Sequence, residues 1–591
     1  MAAPDPSPPL PDPGEPASDR AMATLLDVQR EAVNADDPVL CLLAGAGTGK
    51  TRVLTLRVAR RLADRSAHPD HVLVCTFSRK AADELQRRLW SLGAGAEVRA
   101  GTFHRTALGL LRQWRADRNL APPVLLADRR ALLAEVLGGA GTGAPGPLPT
   151  GHGRRRPSPG AEPRSVRRLE AEIGWSKARL VRPDGYEAAA RATRRRPALG
   201  AARVADLYLH YEEAKRRRGV VDLDDLPLHA ADLLDDEPRF AAAVRWRFRH
   251  LLVDEMQDVN PAQFRLLRGL AGEDPDLFVV GDPNQSVYAW NGADPALLDT
   301  LPDVYPTVRV LRMDRNHRCS PQVVAVAVAA LGLAGTDVPS SSRPPGPAPR
   351  LAGHATDGEE AAWVARQVWL SHRAGRRWAW TAVLARTNAQ LQVVAAALDV
   401  ERVPYHLSGS ETAPAGDVRA AVAPGSGKTG DSRDGGESGE SGDGKEGGEG
   451  REGDRAEESG AARWGERDAV TLSTFHRAKG LQWPTVFAIG LSDGLVPLAG
   501  ARSPGARDEE RRLLYVALTR AEDELTCTWS DAGGAGRSPW LADVQQVVDE
   551  LAADEAPPDQ STVAAHLAGI RHLLGQDASQ GGTDERWLFG R

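Results

Sequence analysis

The sequence predicts an α/β protein built on parallel sheets, and three observations carry that reading. An apolar run, Val39-Leu40-Cys41-Leu42-Leu43, leads into Ala44-Gly45-Ala46-Gly47-Thr48-Gly49-Lys50-Thr51 and then Arg52-Val53-Leu54-Thr55-Leu56, which reads as strand, glycine loop, helix. A second unit of the same kind follows, the strand Val72-Leu73-Val74-Cys75-Thr76-Phe77 and the helix start Ser78-Arg79-Lys80-Ala81-Ala82-Asp83-Glu84-Leu85. A third apolar strand, within Phe248-Arg249-His250-Leu251-Leu252-Val253, delivers two adjacent carboxylates, Asp254 and Glu255, at its C-terminal end.

The first of these elements is a phosphate-binding context. Glycines let backbone N–H groups turn toward an anion, and the helix N-terminus adds its partial positive charge. Lys50 then reaches the β- and γ-phosphates and the Thr51 hydroxyl meets Mg²⁺. Ala44 stands where the strict G-x4-G-K-[ST] pattern has its first glycine, and a side chain that small still lets the loop close. Nearly the same letters recur at Gly425-Ser426-Gly427-Lys428-Thr429, but with no strand before and no helix after, in Gly/Ser/Glu-rich sequence; that copy is chance low complexity.

Composition bounds the rest. At 591 residues the chain has room for three or four domains. Residues 411–466 hold 14 acidic and 7 basic side chains, so the net charge of −6 is concentrated there and the remainder is close to neutral. Cys41, Cys75, Cys319 and Cys527 are far apart and form no C-x-x-C pair, which suggests neither a zinc site nor a disulfide framework and fits a reducing cytoplasm. The Pro-rich start lacks the apolar segment of a signal peptide, and no run of 18 apolar residues predicts a membrane span.

In chain order, Leu25–Val33 reads as a short helix whose Gln29 amide suits the two hydrogen-bonding edges of an adenine. On the ligand side of the second strand, Thr76, Phe77, Ser78 and Lys80 are suited to a sugar-phosphate backbone and a stacked base. Gly101-Thr102-Phe103-His104-Arg105 repeats the combination, and two such loops point to single-stranded nucleic acid. Residues 106–214 are helical and Arg-rich, broken near Ala140–Pro163. Their clusters Arg154–Arg156, Arg194–Arg196 and Lys215–Arg218 suit either phosphates or a solvated face. Asp222-Leu223-Asp224-Asp225-Leu226 then returns the chain to the sheet. In the strand-end pair, Asp254 is placed to hold Mg²⁺ and Glu255 to orient or deprotonate a water. A further strand, Leu277-Phe278-Val279-Val280, ends in Gly281-Asp282-Pro283-Asn284-Gln285-Ser286-Val287-Tyr288-Ala289-Trp290-Asn291-Gly292-Ala293-Asp294.

Gln29, the phosphate loop, Thr76–Lys80, Gly101–His104, Asp254-Glu255-Met256-Gln257-Asp258 and Gly281–Ala293, in this order, resemble the UvrD/Rep/PcrA branch of superfamily 1 helicases. The resemblance implies that Gln285 senses the γ-phosphate and that Trp290 stacks on a DNA base; the family's arginine after that aromatic is Asn291 here. It continues through Leu311-Arg312-Met313-Asp314-Arg315-Asn316-His317-Arg318, which implies Arg318 as a γ-phosphate ligand and His317 in place of the adenine-stacking tyrosine. Ala382–Gln390 matches a further segment. Val470–Trp483, with His476 toward DNA, resembles the motif coupling DNA to nucleotide, and Gln482 replaces the family's ribose-binding glutamate. Glu509–Ala521 is similar to the last motif, which implies Arg520 as a second arginine finger.

The resemblance implies two RecA-like P-loop NTPase motor domains with parallel sheets, ATP and Mg²⁺ between them, and 3′→5′ movement on single-stranded DNA in repair or replication. Its ATP set is Gln29, Ala44, Gly45, Ala46, Gly47, Thr48, Gly49, Lys50, Thr51, Arg52, His317 and Gln482, with Thr51 and Asp254 on the metal and Glu255, Gln285, Arg318 and Arg520 in catalysis. Its DNA set is Thr76, Phe77, Lys80, Thr102, Phe103, His104, Trp290 and His476, meeting single strands and DNA junctions. The expected layout is a disordered tail over 1–21, motor domain 1 over 22–105 and 215–308 around a helical insertion at 106–214, motor domain 2 over 309–408 and 467–560, and a tail over 561–591. Residues 409–466, where the family carries its 2B subdomain, are too poor in apolar residues to offset the entropy of ordering and read as a disordered acidic linker. Two rival readings stay open: a single-strand translocase that unwinds weakly for want of 2B, and a degenerate DNA-binding ATPase used as a scaffold.

Overall fold

The computed structural model describes residues 17–94, 98–139, 163–333, 339–408 and 468–555. Two six-stranded, all-parallel sheets organise them. The first holds β1 (Val39–Ala44), β2 (Val72–Thr76), β3 (Arg99–Thr102), β4 (His250–Val253), β5 (Asp276–Gly281) and β6 (Arg309–Met313) in the order β3-β2-β4-β5-β1-β6. The second holds β7 (Arg350–His354), β8 (Thr381–Ala385), β9 (Tyr405–Leu407), β10 (Val470–Thr474), β11 (Trp483–Ile489) and β12 (Ala521–Ser530) in the order β7-β12-β11-β8-β10-β9.

Helices cover both faces of each sheet, which is why the inner strands are almost continuously apolar. Alternate residues of one strand enter opposite cores: Leu40 and Leu42 pack with Val53, Leu54, Val74 and Phe278, while Val39 and Cys41 pack with Val253, Phe264 and Val279. The second sheet divides in the same way, Ala382 and Leu384 on one face and Val383 and Ala385 on the other.

Local chemistry fixes the helix starts. Helix α1 (Ala17–Ala23) precedes α2 (Asp27–Asn34), whose first turn is closed by Gln29 Oε1 accepting from the Leu26 N–H at 3.2 Å. Helix α3 (Lys50–Ala63) follows Gly49, at φ +92°. Ser78 Oγ caps α4 (Arg79–Ser91), and Thr102 Oγ1 caps α5 (Phe103–Ala116), each accepting from the N–H three residues on. Helices α6 (Arg129–Gly139), α7 (Pro163–Ala178), α8 (Tyr186–Ala192) and α9 (Ala201–Arg218) enclose a separate core of Leu132, Leu169, Ile173, Tyr186, Val204, Leu207 and Tyr211. This is the helical insertion, and α10 (Asp225–Asp236) leads out of it onto α5.

Four expectations change. Helix α1 lies inside the stretch expected as a tail and packs on α3, with Ala21 and Met22 partly buried. The segment 309–313, assigned by sequence to the second domain, pairs with β1 (Leu40↔Arg309 to Ala44↔Met313) and closes the first sheet. The insertion proper begins beyond α5, because Phe103, Ala107 and Leu110 belong to the core of the first sheet. Asp222 and Asp225 return the chain not to a strand but to α10, and they bury Lys215, so that residue cannot lie along a phosphate; Arg216–Arg218 remain exposed. Arg154–Arg156, the 409–466 linker and the 561–591 tail lie outside the described residues.

Because the strands are parallel, their C-terminal ends share one edge. That edge of the first sheet collects the phosphate loop after β1, Thr76 and Thr102 at the ends of β2 and β3, Asp254-Glu255 after β4, and Asp282 after β5.

Candidate functional site between the two sheets

The phosphate loop is held in shape by its own lysine. Lys50 Nζ donates to the carbonyls of Ala44 (2.9 Å) and Gly45 (3.1 Å) and lies 3.7 Å from Asp282, which also accepts from the Gln285 amide at 2.6 Å and the Asn284 N–H at 3.0 Å. Thr48 Oγ1 donates to the Gly45 carbonyl. Gly47 sits at φ +72°, and a Cβ there would stand 2.7 Å from both Arg318 Cβ and Asn316 Oδ1, so the position admits only glycine.

A strap from beyond β6 lies across this loop. Asn316 Nδ2 donates to the Ala46 carbonyl at 2.8 Å, and the His317 N–H donates to the Gly47 carbonyl at 2.8 Å. Asn316 Oδ1 accepts from the N–H groups of Arg318 and Cys319 at 2.7 and 2.8 Å, which aims Arg318 at the loop. From the helix Pro504–Leu518 of the second half, Tyr515 OH accepts from the Ala46 N–H. Arg318 and Arg520 meet around Thr519, Arg318 at its carbonyl and Arg520 at its hydroxyl. Arg520 is 1% exposed, and among the described residues its guanidinium is bonded otherwise only to the Val516 and Leu481 carbonyls. Burial and the neighbouring Arg318 pull its guanidinium down to about 9. A buried and a half-buried guanidinium, neither in an ion pair with a carboxylate among the described residues, form a receptor for a polyanion.

Opposite them stand the carboxylates. Thr51 Oγ1 donates to Asp254 Oδ2 at 3.3 Å, and burial with the adjacent Glu255 charge pushes Asp254 up to about 7. Glu255 takes a left-handed backbone, φ +57°, uncommon for a residue with a side chain and a sign of strain held at the site. Burial alone would raise its carboxyl, but Lys479, Lys50 and the Gln257 amide hold it below the ordinary glutamate range. Lys479 Nζ donates to Asp258 and to the Gln285 carbonyl (2.8 Å) and lies 3.8 Å from Glu255. Burial raises Asp258 to about 7 in spite of Lys479, and its Oδ1 has no hydrogen-bond partner among the described residues. A buried, mutually repelling acid pair beside a hydroxyl fits a divalent cation at Thr51 and Asp254. By contrast Glu212, Asp222 and Asp225, close enough together to share an ion, are already bridged by the ammonium groups of Lys177 and Lys215.

The end of the site beside Gln29 is more open. Gln29 Nε2 donates to the Thr48 carbonyl at 2.9 Å and lies 3.4 Å from His317 Nε2, while His317 Nδ1 is 2.6 Å from Ser342 Oγ. Arg52 reaches back to the Ala21 carbonyl at 3.0 Å. Gln482 is half-buried between Leu481, whose carbonyl takes Arg520, and Trp483, whose N–H donates to the Arg520 carbonyl.

On the expected DNA side, Phe77 stacks on Tyr288 with ring centroids 4.9 Å apart, and Tyr288 meets Trp290 edge-on. Trp290 is 57% exposed and Lys80 is exposed in the first turn of α4. His104 and His476 are half-buried; burial lowers both imidazoles, and His476, beside Arg386, falls to about 4. Two expected residues do not fit. Phe103 is core, 1% exposed, and Thr76 is fully buried with no partner for its hydroxyl. Thr102 is engaged as the cap of α5.

Sequence reasoning missed Lys479, Asn316 and Tyr288. All lie inside segments quoted for the resemblance, yet their partners are distant: Lys479 meets Asp258 across 221 positions and Asn316 meets Ala46 across 270. Lys479 also places its ammonium 5.1 Å from the centre of the Tyr288 ring, so one side chain touches both the carboxylates and the aromatic floor.

Comparison with known proteins agrees with this geometry. Residues 25–306 match the model of the UvrD/REP helicase N-terminal domain and residues 455–532 that of the UvrD-like helicase C-terminal domain. The chain is 34% identical to the ATP-dependent DNA helicase UvrD2 of Mycobacterium tuberculosis (strain ATCC 25618 / H37Rv), over 88% of this chain and 81% of that protein. It is 30% identical to the ATP-dependent DNA helicase PcrA of Bacillus subtilis (66% and 51% covered) and 26% identical to DNA helicase II of Escherichia coli K12 (86% and 84% covered).

Proposed function

The chain belongs to the UvrD/Rep family of ATP-dependent DNA helicases, and on that premise we propose that it travels 3′→5′ on single-stranded DNA, hydrolysing ATP between its two sheets, in DNA repair or replication. The observation that carries this reading is the convergence of Lys50, Thr51, Asp254, Glu255, Arg318 and Arg520 from both halves of the chain on one glycine loop.

The assignment of roles follows from chemistry. Thr51 and Asp254 would hold Mg²⁺, which would supply positive charge to the phosphates, and Lys50, which donates to the Ala44 and Gly45 carbonyls, is within reach of the same phosphates. Glu255, kept ionised by Lys479 and Lys50, orients the attacking water and takes its proton. Arg318 and Arg520 stabilise charge on the transferring phosphoryl group, and Gln285 reports its presence to the aromatic floor that follows it. Gln29 reads adenine, with Arg52, His317 and Gln482 around the nucleoside. Phe77, Lys80, His104, Trp290 and His476 face the strand; Phe103 and Thr76 are withdrawn from that set.

Single-stranded DNA should stimulate ATP hydrolysis strongly in the wild type, and Glu255→Gln and Lys50→Ala should abolish it. A rate indifferent to DNA, or unchanged in Lys50→Ala, refutes the motor. Duplexes with 3′ or 5′ single-stranded tails test polarity, and unwinding from the 5′-tailed substrate alone refutes the stated direction. A weakly unwinding translocase is the second reading, favoured by the Gly/Ser/Glu composition of residues 409–466; brisk strand separation by the monomer would exclude it.

A further inference from the structure

The turn that presents Trp290 is gripped from two sides. Residues Ala289–Asn291 form one turn of 3₁₀ helix that ends at Gly292 with φ +87°. From the second sheet's side, Glu509 Oε1 accepts from the Ala289 N–H at 2.8 Å. From the helical insertion comes the end of α7, three consecutive residues with three separate anchors. Lys177, 2% exposed, is fixed by Asp222 (2.7 Å), Asp225 (2.6 Å) and Glu212 (2.8 Å). Ala178 lies so close beneath Gly292 that a Cβ on the glycine would stand 2.4 Å from the alanine Cβ. Arg179 Nη2 donates to Asp294 Oδ2 at 2.9 Å.

Asp294 carries the contact onward. Its N–H donates to the Val259 carbonyl at 3.2 Å, one residue past the turn Met256–Asp258 that follows Glu255. Thus Asp294, two residues past the Gly292 that ends the Trp290 turn, is bonded to the segment that follows the carboxylate loop, and it is tied to the insertion by Arg179 alone among the described side chains. The residue beside Trp290 is the neutral Asn291, and the cation that reaches Asp294 from the insertion is Arg179, the residue that follows α7.

We propose that Lys177-Ala178-Arg179 is a strut through which the helical insertion positions the Trp290 turn, with Arg179 the positioning residue that couples DNA on that turn to the carboxylate loop. This rests on the reading of Trp290 as a base-stacking residue. Lys177 fixes the strut at its root, Ala178 sets its spacing, and Arg179 joins it to the loop that ATP hydrolysis uses. The strut is separate from the nucleotide contacts, so its removal uncouples the two sites without emptying either.

The test compares ATP turnover with and without a single-stranded oligonucleotide in the full chain. Arg179→Ala should lower the DNA-stimulated rate about tenfold, the scale of an ordinary coupling between two sites, while leaving the DNA-free rate and the thermal midpoint unchanged. Arg179→Lys, which keeps the charge, should restore most of the stimulation. Ala178→Leu, which pushes on Gly292, should reproduce the loss. Unaltered stimulation in Arg179→Ala overturns the proposal, and so does an equal fall in DNA-free and DNA-stimulated rates, the signature of a merely structural role. Trp290→Ala separates the premise: if it leaves stimulation intact while Arg179→Ala does not, the strut stands and the stacking role of Trp290 falls.

Discussion

Replacing Lys479 by methionine should move the acid limb of the ATPase pH profile upward. Lys479 Nζ, largely buried, lies 3.8 Å from the half-buried Glu255. At an effective dielectric constant of about 20, that separation corresponds to about 4 kcal/mol between unit charges, an upper bound because Glu255 is partly exposed. Lys50 also remains to favour the ionised carboxylate, so about one to two pH units of upward movement in Glu255 is the expected net result, at about 1.4 kcal/mol for each. The sign is fixed: a general base works above its own pKa and fails as pH falls through it. In the wild type that loss falls below the ordinary glutamate range, whereas in Lys479→Met it should begin within the range where the assay is run. Asp258, near 7 even with the lysine present, becomes neutral in the variant and adds no opposing charge. The measurement is DNA-stimulated turnover at saturating ATP across the acid range, with the thermal midpoint as a control for folding. Identical acid limbs in the two proteins would refute the reasoning and remove Lys479 from the control of Glu255.

Two further perturbations report on the strap and on the insertion. Asn316→Ala removes one hydrogen bond to the phosphate loop and strands the N–H groups of Arg318 and Cys319, a loss of about 2–4 kcal/mol, and nucleotide affinity measured with a fluorescent ATP analogue should fall accordingly. Asp222→Asn breaks a buried ion cluster and should destabilise the insertion by about 3–5 kcal/mol, seen as earlier proteolytic cleavage within it in urea. In the wild type, burial opposes ionisation of Asp222 and Asp225, but Lys177 and Lys215 hold both below the usual carboxylate range, Asp222 well below it. Their contribution is therefore complete above about pH 4 and lost only as pH falls further through the folded values, so the insertion should resist cleavage down to that pH.

What was legible in the sequence is what a short run of residues determines by itself. The phosphate loop, the strand-borne Asp254-Glu255 pair and the strand before Asp282 all depend on neighbours in the chain, and each lies where the pattern puts it. Phe103 was misread for a one-residue reason. In Thr76-Phe77-Ser78 the helix cap is Ser78, so Phe77 precedes the helix and stays at the sheet edge. In Gly101-Thr102-Phe103 the cap is Thr102, so Phe103 is the first helical residue and turns under the sheet. Arg309–Met313 reads as a strand in either domain, since its side chains say nothing about which edge will pair with it. Lys215 shares a basic run with three arginines but faces inward on α9, and only the distant Asp222 and Asp225 make that burial possible.

Among the described residues the chain passes from the first sheet to the second once, between Met313 at the end of β6 and the helix Pro321–Leu331, and this crossing lies on the phosphate loop through Asn316 and His317. On the proposed function, the fulcrum of the molecule and its fuel chamber are therefore the same few residues. A shift of the strap driven from the phosphate loop would then turn the second lobe as a lever about its pivot, with a larger displacement at the far rim than at the loop. Gly47 fixes that short arm: with no side chain, it lets the pivot rest directly on the loop.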